Sequence, residues 1–140
     1  MEVVNEVLPT SAERIEEMQQ QGPDGPIHMV NLLKFKEKAE YEDGRETVLS
    51  GYEAYQLYAQ AVSEIIRHYG GELMFAADVT FLALGQVEEL WDEVAIATYP
   101  NRRALFDMST SDEWRAASVH RTAGLAGQLN IETVAPQGTH

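Results

Sequence analysis

A chain of 140 residues is long enough for one domain with its own hydrophobic core. It has no cysteine and therefore no disulfide, and its 23 acidic against 10 basic side chains give a formal net charge of −13. We expect neither a nucleic-acid nor a membrane partner, because this charge repels polyanions and no apolar run has the length of a membrane span. The acidic start is also unlike a signal peptide, so a soluble cytoplasmic protein is expected.

The first predicted element is a short surface helix that precedes the main domain. Thr10 and Glu13 have the spacing of a capping box, and a thin apolar stripe continues to Gln21, where a Gly- and Pro-rich segment ends it. We interpret residues 1–26 as an N-terminal helical appendage, residues 27–134 as the domain and residues 135–140 as a tail.

An apolar strand comes next, followed by a charged connection and a long helix. Residues 27–35 have an apolar centre that only Asn31 and Lys34 interrupt. Residues 36–50 are charged and contain glycine, which is typical of either a lid or a disordered loop. From Gly51 the apolar period becomes 3.6 residues, which predicts a helix that ends at Gly70 and Gly71. Its apolar face carries Tyr52, Tyr55, Ala59, Val62, Ile66 and Tyr69.

Two strands, two helices and a final strand complete the predicted order. Residues 72–85 and 91–99 are predicted to form an antiparallel hairpin, and Pro100 cannot continue a central ladder. A helix is predicted at residues 102–108, and another, with a capping box of Thr110 and Glu113, continues to residue 123. Residues 129–134 form the last predicted strand.

The order β-α-β-β-α-β is typical of a ferredoxin-like α+β fold, in which two helices cover one face of a four-stranded antiparallel sheet. Strand residues such as Val94, Ala95, Ile96 and Ala97 are apolar on both faces of that sheet. No further predicted helix is long enough to cover the second face. We therefore predict a two-fold homodimer that packs two open sheet faces together.

Six sequence motifs carry a resemblance to a known family. They are Asn31-Leu32-Leu33-Lys34-Phe35-Lys36, the pair Tyr55 and Tyr58, His68-Tyr69-Gly70-Gly71, Trp91-Asp92 before Tyr99-Pro100, Ser111-Asp112-Glu113-Trp114, and His120-Arg121. In this order they resemble the domain of unknown function 1330 family of the dimeric α/β-barrel superfamily. The resemblance implies a dimeric α/β barrel with a cleft between sheet and helices. It implies no particular reaction, because the superfamily includes cofactor-free monooxygenases, isomerases, haem enzymes and ligand-binding domains.

Three polar residues are the candidates for catalysis in such a cleft. His120 can act as a general base near neutral pH, and the adjacent Arg121 can stabilise an oxyanion. Asn31 can polarise a ligand carbonyl or form a structural hydrogen bond. Consecutive helix residues point about 100° apart, so the alternative is that only one of the pair faces inward and that Arg121 pairs with Asp107 or Glu113.

A second set of residues is predicted to contact a small apolar or aromatic ligand: Tyr52, Tyr55, Tyr99, Arg103 and Trp114. Aromatic rings supply apolar surface and hydroxyl groups, although such a stripe is also typical of an ordinary core. The pair Arg102 and Arg103 can hold a small anion at contact distance despite the negative net charge. His68 is expected to cap its helix, and His28 to lie at a rim.

No metal and no cofactor is expected. The four histidines lack ligand spacing, and the common nucleotide-binding and zinc-protease motifs do not occur. A haem on His120 is the one alternative left open. Two functions follow: a cofactor-free, monooxygenase- or isomerase-like enzyme for a small apolar or aromatic substrate, or a non-catalytic ligand-binding or structural homodimer. The charged segment at residues 36–50 favours the enzyme if it closes over the cleft.

Overall fold

The computed structural model describes residues 11–136, which contain four helices and four strands. They are α1 Ala12–Met18, β1 Ile27–Phe35, α2 Gly51–His68, β2 Glu72–Asp78, β3 Glu93–Tyr99, α3 Arg102–Ser109, α4 Asp112–Gly124 and β4 Leu125–Thr133. Within this range no helix combines the length and the apolar character that a membrane span requires. The predicted cytoplasmic location stays a prediction.

The four strands form one sheet in the order β2-β3-β1-β4, and every neighbouring pair is antiparallel. This confirms the predicted ferredoxin-like α+β fold. The ladders are interrupted at two places, between Leu73 and Phe75 in β2 and opposite Lys34 and Phe35, where β4 has a bulge. Such a bulge breaks the two-residue alternation of side chains between the faces of a strand.

Strand boundaries differ from the prediction in the second half of the chain. β1 spans the predicted residues, whereas β2 ends at Asp78 and β3 begins at Glu93. Residues 79–92 are therefore a long connection instead of strand and tight turn, and a hydrogen bond from the amide of Val79 to the carbonyl of Asp92, at 2.9 Å, joins its two ends. β4 begins at Leu125, four residues earlier than predicted, directly where α4 ends.

The caps of the helices correct two predicted capping boxes. Ser111, and not Thr110, is the N-cap of α4, because its hydroxyl accepts from the amide of Trp114 at 3.2 Å. α1 likewise begins after Ser11 and ends at Met18 instead of Gln21, while Thr10 lies outside the described residues. The prediction erred by one residue because serine and threonine are adjacent at both sites, and either can cap a helix.

A reciprocal capping box begins α2, which the sequence analysis did not predict. The Ser50 hydroxyl accepts from the amide of Glu53 at 3.0 Å, and the Glu53 carboxylate accepts from the amide of Ser50 at 2.9 Å. The other end of α2 has Arg67 and His68 in its last turn, where cations favour the helix dipole. Gly70 follows with a φ of 79°, a conformation that glycine adopts without steric cost.

The core lies between one face of the sheet and helices α2 to α4. Its buried members are Ile27, Met29, Leu33, Tyr55, Tyr58, Ile65, Ile66, Ala95, Ala97, Tyr99, Leu105, Met108, Ala117 and Leu125. Every strand residue in this cluster projects from the same face, which we call the inner face. The opposite, outer face contributes nothing to the core.

The charged connection between β1 and α2 is neither a lid nor a disordered loop. Its backbone is held by hydrogen bonds from Lys36 to the carbonyl of Gly124 at 2.8 Å and from Glu40 to the carbonyl of Ala123 at 3.0 Å. Ala39 and Tyr41 are buried with Ala54 and Ala123 in a second, smaller cluster. The segment therefore packs on the ends of α2 and α4, away from the helix-sheet cleft.

Candidate functional site

A cleft of about 650 Å³ lies between the inner face of the sheet and the helices. Apolar side chains from three sides form most of its wall: Met29, Ala95 and Ala97 from the sheet, Val62 and Ile66 from α2, and Leu105 and Met108 from α3. A few polar groups reach it from α4, β4 and β1. An apolar concave wall with few polar groups is the usual construction of a small-molecule site.

A chain of hydrogen bonds connects the polar groups of the cleft. Asn31 Nδ2 donates to the carbonyls of Met29 and Ala95, both at 3.3 Å, and Asn31 Oδ1 accepts from Gln128 Nε2 at 2.7 Å. Gln128 Oε1 in turn accepts a hydrogen bond from Arg121 Nη2. The strands β1 and β4 thereby hold the guanidinium of α4 in a defined position.

Arg121 supplies a buried positive charge to the cleft. Its side chain is 8% exposed, and burial lowers the pKa of the guanidinium from its usual value. The nearby hydroxyls of Tyr58 and Tyr55 oppose that shift in pKa. Arginine stays protonated at any physiological pH, so the cation persists.

Three tyrosines line the cleft, and two of them, Tyr55 and Tyr58, lie near this cation. Burial raises the pKa of Tyr55, Tyr58 and Tyr99, so all three phenols are neutral at physiological pH. The Tyr58 hydroxyl accepts a hydrogen bond from the indole Nε1 of Trp114 at 3.0 Å. The rings of Tyr58 and Trp114 meet edge to face, with centroids 6.3 Å apart. This packing fixes the position of the Tyr58 hydroxyl.

An ion pair lies at another part of the cleft wall, near α1. Arg102 Nε and Nη2 donate to the two carboxylate oxygens of Glu132 at 2.8 and 2.7 Å, and this hydrogen bonding lowers the pKa of Glu132. Arg102 Nη1 also donates to the carbonyl of Glu17 at 3.3 Å. Glu17 and Met18 of α1 line the cleft as well, so the predicted appendage contributes to its wall.

The structure brings five of the eight predicted site residues into the cleft: Asn31, Tyr55, Tyr99, Trp114 and Arg121. His120 is not among the residues that line it. Its Nδ1 lies 2.7 Å from the Tyr41 hydroxyl, and the two rings meet edge to face. Because His120 and Arg121 are consecutive on a helix, only Arg121 faces the cleft.

Tyr52 and Arg103 also lie outside the cleft. Tyr52 is 46% exposed, and its ring packs edge to face on Phe35. Arg103 is exposed and pairs with Asp107 at 2.9 Å. Glu113, the other carboxylate considered as a partner for Arg121, lies 3.7 Å from His68.

Sequence reasoning missed Gln128 and chose the wrong member of the pair Arg102 and Arg103. Gln128 was placed in a connection because the predicted β4 began at residue 129. Extending β4 backward by one residue would have placed Gln128 on the same face as Asn130 and Glu132, because the bulge lies between Leu125 and Gly127 and leaves that alternation intact. Tyr58, in contrast, could have been predicted as a cleft residue, since it flanks the apolar stripe of α2.

Comparisons with known proteins agree with this fold. A family model described as "Domain of unknown function (DUF1330)" matches residues 44–133. The crystal structure of RPA0582, a protein of unknown function from Rhodopseudomonas palustris, is 27% identical over 95% of this chain and 100% of its own, with a TM-score of 0.82. The methylated form of RPA0582 is 30% identical over 98% of this chain and 100% of its own, with a TM-score of 0.84.

A more distant structure shares the fold alone. It is described as a "putative antibiotic biosynthesis monooxygenase" from Caulobacter crescentus, and it is 16% identical over 89% of this chain and 99% of its own, with a TM-score of 0.54. The search of curated proteins found no match. Within residues 11–136 no group of three or more metal-binding side chains is arranged to hold a metal ion.

Proposed function

The chain belongs to the family described as Domain of unknown function (DUF1330), and on that premise we propose that it binds a small, largely apolar molecule in the helix-sheet cleft. The observation that carries this proposal is an apolar cleft of about 650 Å³ that contains one buried cation, Arg121. Ligand sites typically measure roughly 300–1,000 Å³ and combine apolar walls with a few placed polar groups.

The energetic cost of such a cleft supports a binding role. Apolar side chains that line an open cleft keep part of their surface in contact with water, so the fold forgoes the stabilisation that their full burial would give. Burial of an arginine adds a desolvation cost that closely packed apolar residues would avoid. A purely structural domain gains nothing from either feature, whereas a binding domain uses both.

A large side chain that occupies the cleft should block ligand binding, and this tests the proposal. Val62 lines the cleft, whereas Leu57 lies on the same helix and is 42% exposed. The neutral probe N-phenyl-1-naphthylamine should bind the wild type with an increase in fluorescence. We expect Val62→Trp to weaken that binding at least tenfold and Leu57→Trp to leave it unchanged. Equal binding by both variants would place the probe elsewhere and contradict the proposal.

A cofactor-free reaction in the same cleft is the second candidate function, and Arg121 is the observation that favours it. A fixed donor in a site that excludes water stabilises negative charge that develops on a substrate oxygen. Asn31 uses both its amide groups in hydrogen bonds to the protein, which supports a positioning role for it. His120 has no part in this proposal because it contacts Tyr41 instead of the cleft.

Turnover of the natural ligand distinguishes binding from catalysis. Small molecules extracted from the purified protein would be incubated with fresh wild type and with Arg121→Gln, and then analysed by mass spectrometry and NMR. Conversion by the wild type that Arg121→Gln slows by about 100-fold or more would support a reaction. A ligand that binds and is recovered unchanged from both proteins would support binding alone.

We also propose that the chain forms a homodimer through the outer face of its sheet. The strand register places these apolar residues on that face: Val30, Leu32, Phe75, Val94, Ile96, Leu129 and Ile131. Phe75 is 53% exposed and Ile131 46% exposed. The connection that follows β2 carries two further exposed apolar side chains, Phe81 and Leu84, which are 79% and 90% exposed. Contiguous apolar surface of this kind is typical of an interface, and a second copy is the partner with a complementary face.

Sedimentation velocity tests this assembly. Ile96 lies near the middle of the outer face, between Val30 and Phe75. The wild type should sediment as a dimer with twice the 15.7 kDa mass of one chain. Ile96→Glu should reduce or abolish this dimer. Leu57→Glu on the exposed side of α2 is the matched control and should leave the dimer intact. A wild-type monomer at micromolar concentration would refute the proposal.

A further inference from the structure

We infer that the ligand of the cleft is a carboxylate with an apolar body, whose oxygens accept hydrogen bonds from Arg121 and Tyr58. This inference rests on the proposed binding function and adds the chemical class of the ligand. It follows from the direction in which each hydrogen bond of the cleft runs.

The chemistry of the backbone partners determines the orientation of both amides. The partners of Asn31 at Met29 and Ala95 are carbonyl oxygens, which only accept, so Asn31 must direct its NH₂ group toward them. Asn31 Oδ1 then faces Gln128 and accepts from its NH₂ group. Gln128 consequently directs Oε1 toward Arg121, which is a donor. Both amide oxygens are thus occupied by protein donors.

The phenol of Tyr58 is oriented by the same reasoning. The indole of Trp114 can only donate, so the Tyr58 oxygen accepts that bond and the O–H proton must point elsewhere. Burial raises the pKa of this hydroxyl, which keeps the proton in place. Tyr58 therefore presents a donor to the cleft.

Arg121 likewise presents only donors, because a guanidinium carries five N–H groups and no acceptor. Among the carboxylates that line the cleft, Glu132 is held by both nitrogens of Arg102 that face it. A ligand that approaches Arg121 and Tyr58 thus meets N–H and O–H donors, with which a ligand oxygen can form hydrogen bonds and a ligand N–H group cannot. A carboxylate would form charge-assisted bonds with the guanidinium, which are about twice as strong as neutral ones.

The test compares two probes of the same shape, 2-naphthoate and 2-naphthamide, which differ in charge and in donor groups. Binding to the full chain would be measured at pH 7.5 by calorimetry or fluorescence. We expect the wild type to bind 2-naphthoate at least tenfold more tightly than 2-naphthamide. Arg121→Gln should abolish the preference, Arg121→Lys should retain part of it, and Tyr58→Phe should reduce it several-fold. Arg67→Gln, an exposed arginine on α2, is the matched control and should leave the preference unchanged.

The outcomes separate this inference from the proposed function. Equal binding of both probes, or tighter binding of 2-naphthamide, would overturn the carboxylate inference and leave the binding function intact. A failure of both these probes and N-phenyl-1-naphthylamine to bind would overturn the two together. If Arg121→Gln does not fold, the affinities of the wild type and of Tyr58→Phe for 2-naphthoate and 2-naphthamide decide whether the carboxylate inference holds.

Discussion

Two consecutive residues of α4 have opposite surroundings. Arg121 faces the cleft, whereas His120 contacts Tyr41 in the segment that packs on the ends of α2 and α4. The guanidinium of Arg45 lies 4.5 Å from the centre of the Tyr41 ring on that side. Burial, and then the charge of Arg45, lower the pKa of His120 from its usual value of 6.5. His120 therefore contributes to the packing of this segment as a neutral imidazole.

This lowered pKa predicts a loss of stability in acid. A base whose pKa is lower in the folded protein contributes its full stabilisation above the unfolded value of 6.5 and loses it as the pH falls through the folded pKa. The urea midpoint of the wild type should fall between pH 7.5 and pH 5 by more than that of His120→Gln, which cannot titrate. Equal pH dependence in both proteins would assign the effect to other groups.

Contacts at the N-terminal end of α2 fix where this helix begins and how it packs on α4. Its first turn is closed by the reciprocal bonds of Ser50 and Glu53, and its N-terminus crosses the C-terminus of α4 at two glycines, Gly51 and Gly124. The amide of Lys36 reaches the Gly124 carbonyl at the same place. The second small cluster of the fold depends on this close approach.

Loss of the cap of α2 should have a moderate cost. Ser50→Ala removes the acceptor for the Glu53 amide, and we expect the free energy of unfolding to fall by about 1 kcal/mol. Ser63→Ala is the control, because the Ser63 hydroxyl donates to the Gln60 carbonyl within the same helix and caps nothing. Urea denaturation at a fixed protein concentration measures both, and equal losses would contradict a capping role for Ser50.

A methyl group at the helix crossing should cost more. A Cβ atom at Gly124 would overlap the carbonyl oxygen of Gly51 and lie 3.0 Å from the amide nitrogen of Tyr55. Backbone atoms cannot rotate away, so we expect Gly124→Ala to lower the free energy of unfolding by roughly 1–3 kcal/mol or more. Ala116→Ser, on the exposed side of α4, is the control. A stability within about 0.5 kcal/mol of the wild type would show that the crossing can open freely.

The whole molecule combines a strongly negative charge with an apolar sheet face. Two copies that associate through the outer face bring two charges of −13 together, and their repulsion opposes the burial of apolar surface. The repulsion acts over a Debye length of about 10 Å at 0.1 M salt and is screened further at higher salt. Apolar burial has no comparable dependence on low salt concentrations.

The proposed dimer therefore predicts a dependence of thermal stability on both concentration and salt. Because dissociation accompanies unfolding, the melting temperature of the wild type should rise with protein concentration, and it should rise further from 20 to 300 mM NaCl. Scanning calorimetry at two concentrations twentyfold apart measures this effect. The melting temperature of Ile96→Glu should not depend on protein concentration. A wild-type melting temperature that is independent of concentration would contradict a dimer.

By itself the sequence determined the order and type of the elements, because helix and strand periods depend on near neighbours along the chain. β1 was predicted to the residue and α2 closely, since both have long apolar patterns and clear end signals. The family motifs add the ferredoxin-like topology. Local signals were weaker at the hairpin of β2 and β3, where the ladder ends at Asp78 and Glu93 although apolar residues continue along the chain after Asp78.

Only the tertiary structure decided which polar residues share the cleft. His120 and Arg121, or Arg102 and Arg103, are equivalent candidates along the chain. Helix geometry points the members of each pair about 100° apart, and the packing of the helices on the sheet decides that Arg121 and Arg102 face the cleft. Gln128 enters the cleft because the pairing of β4 with β1 places it opposite Leu33, on the inner face of the sheet. These positions depend on contacts between residues far apart in sequence, which no local pattern can encode.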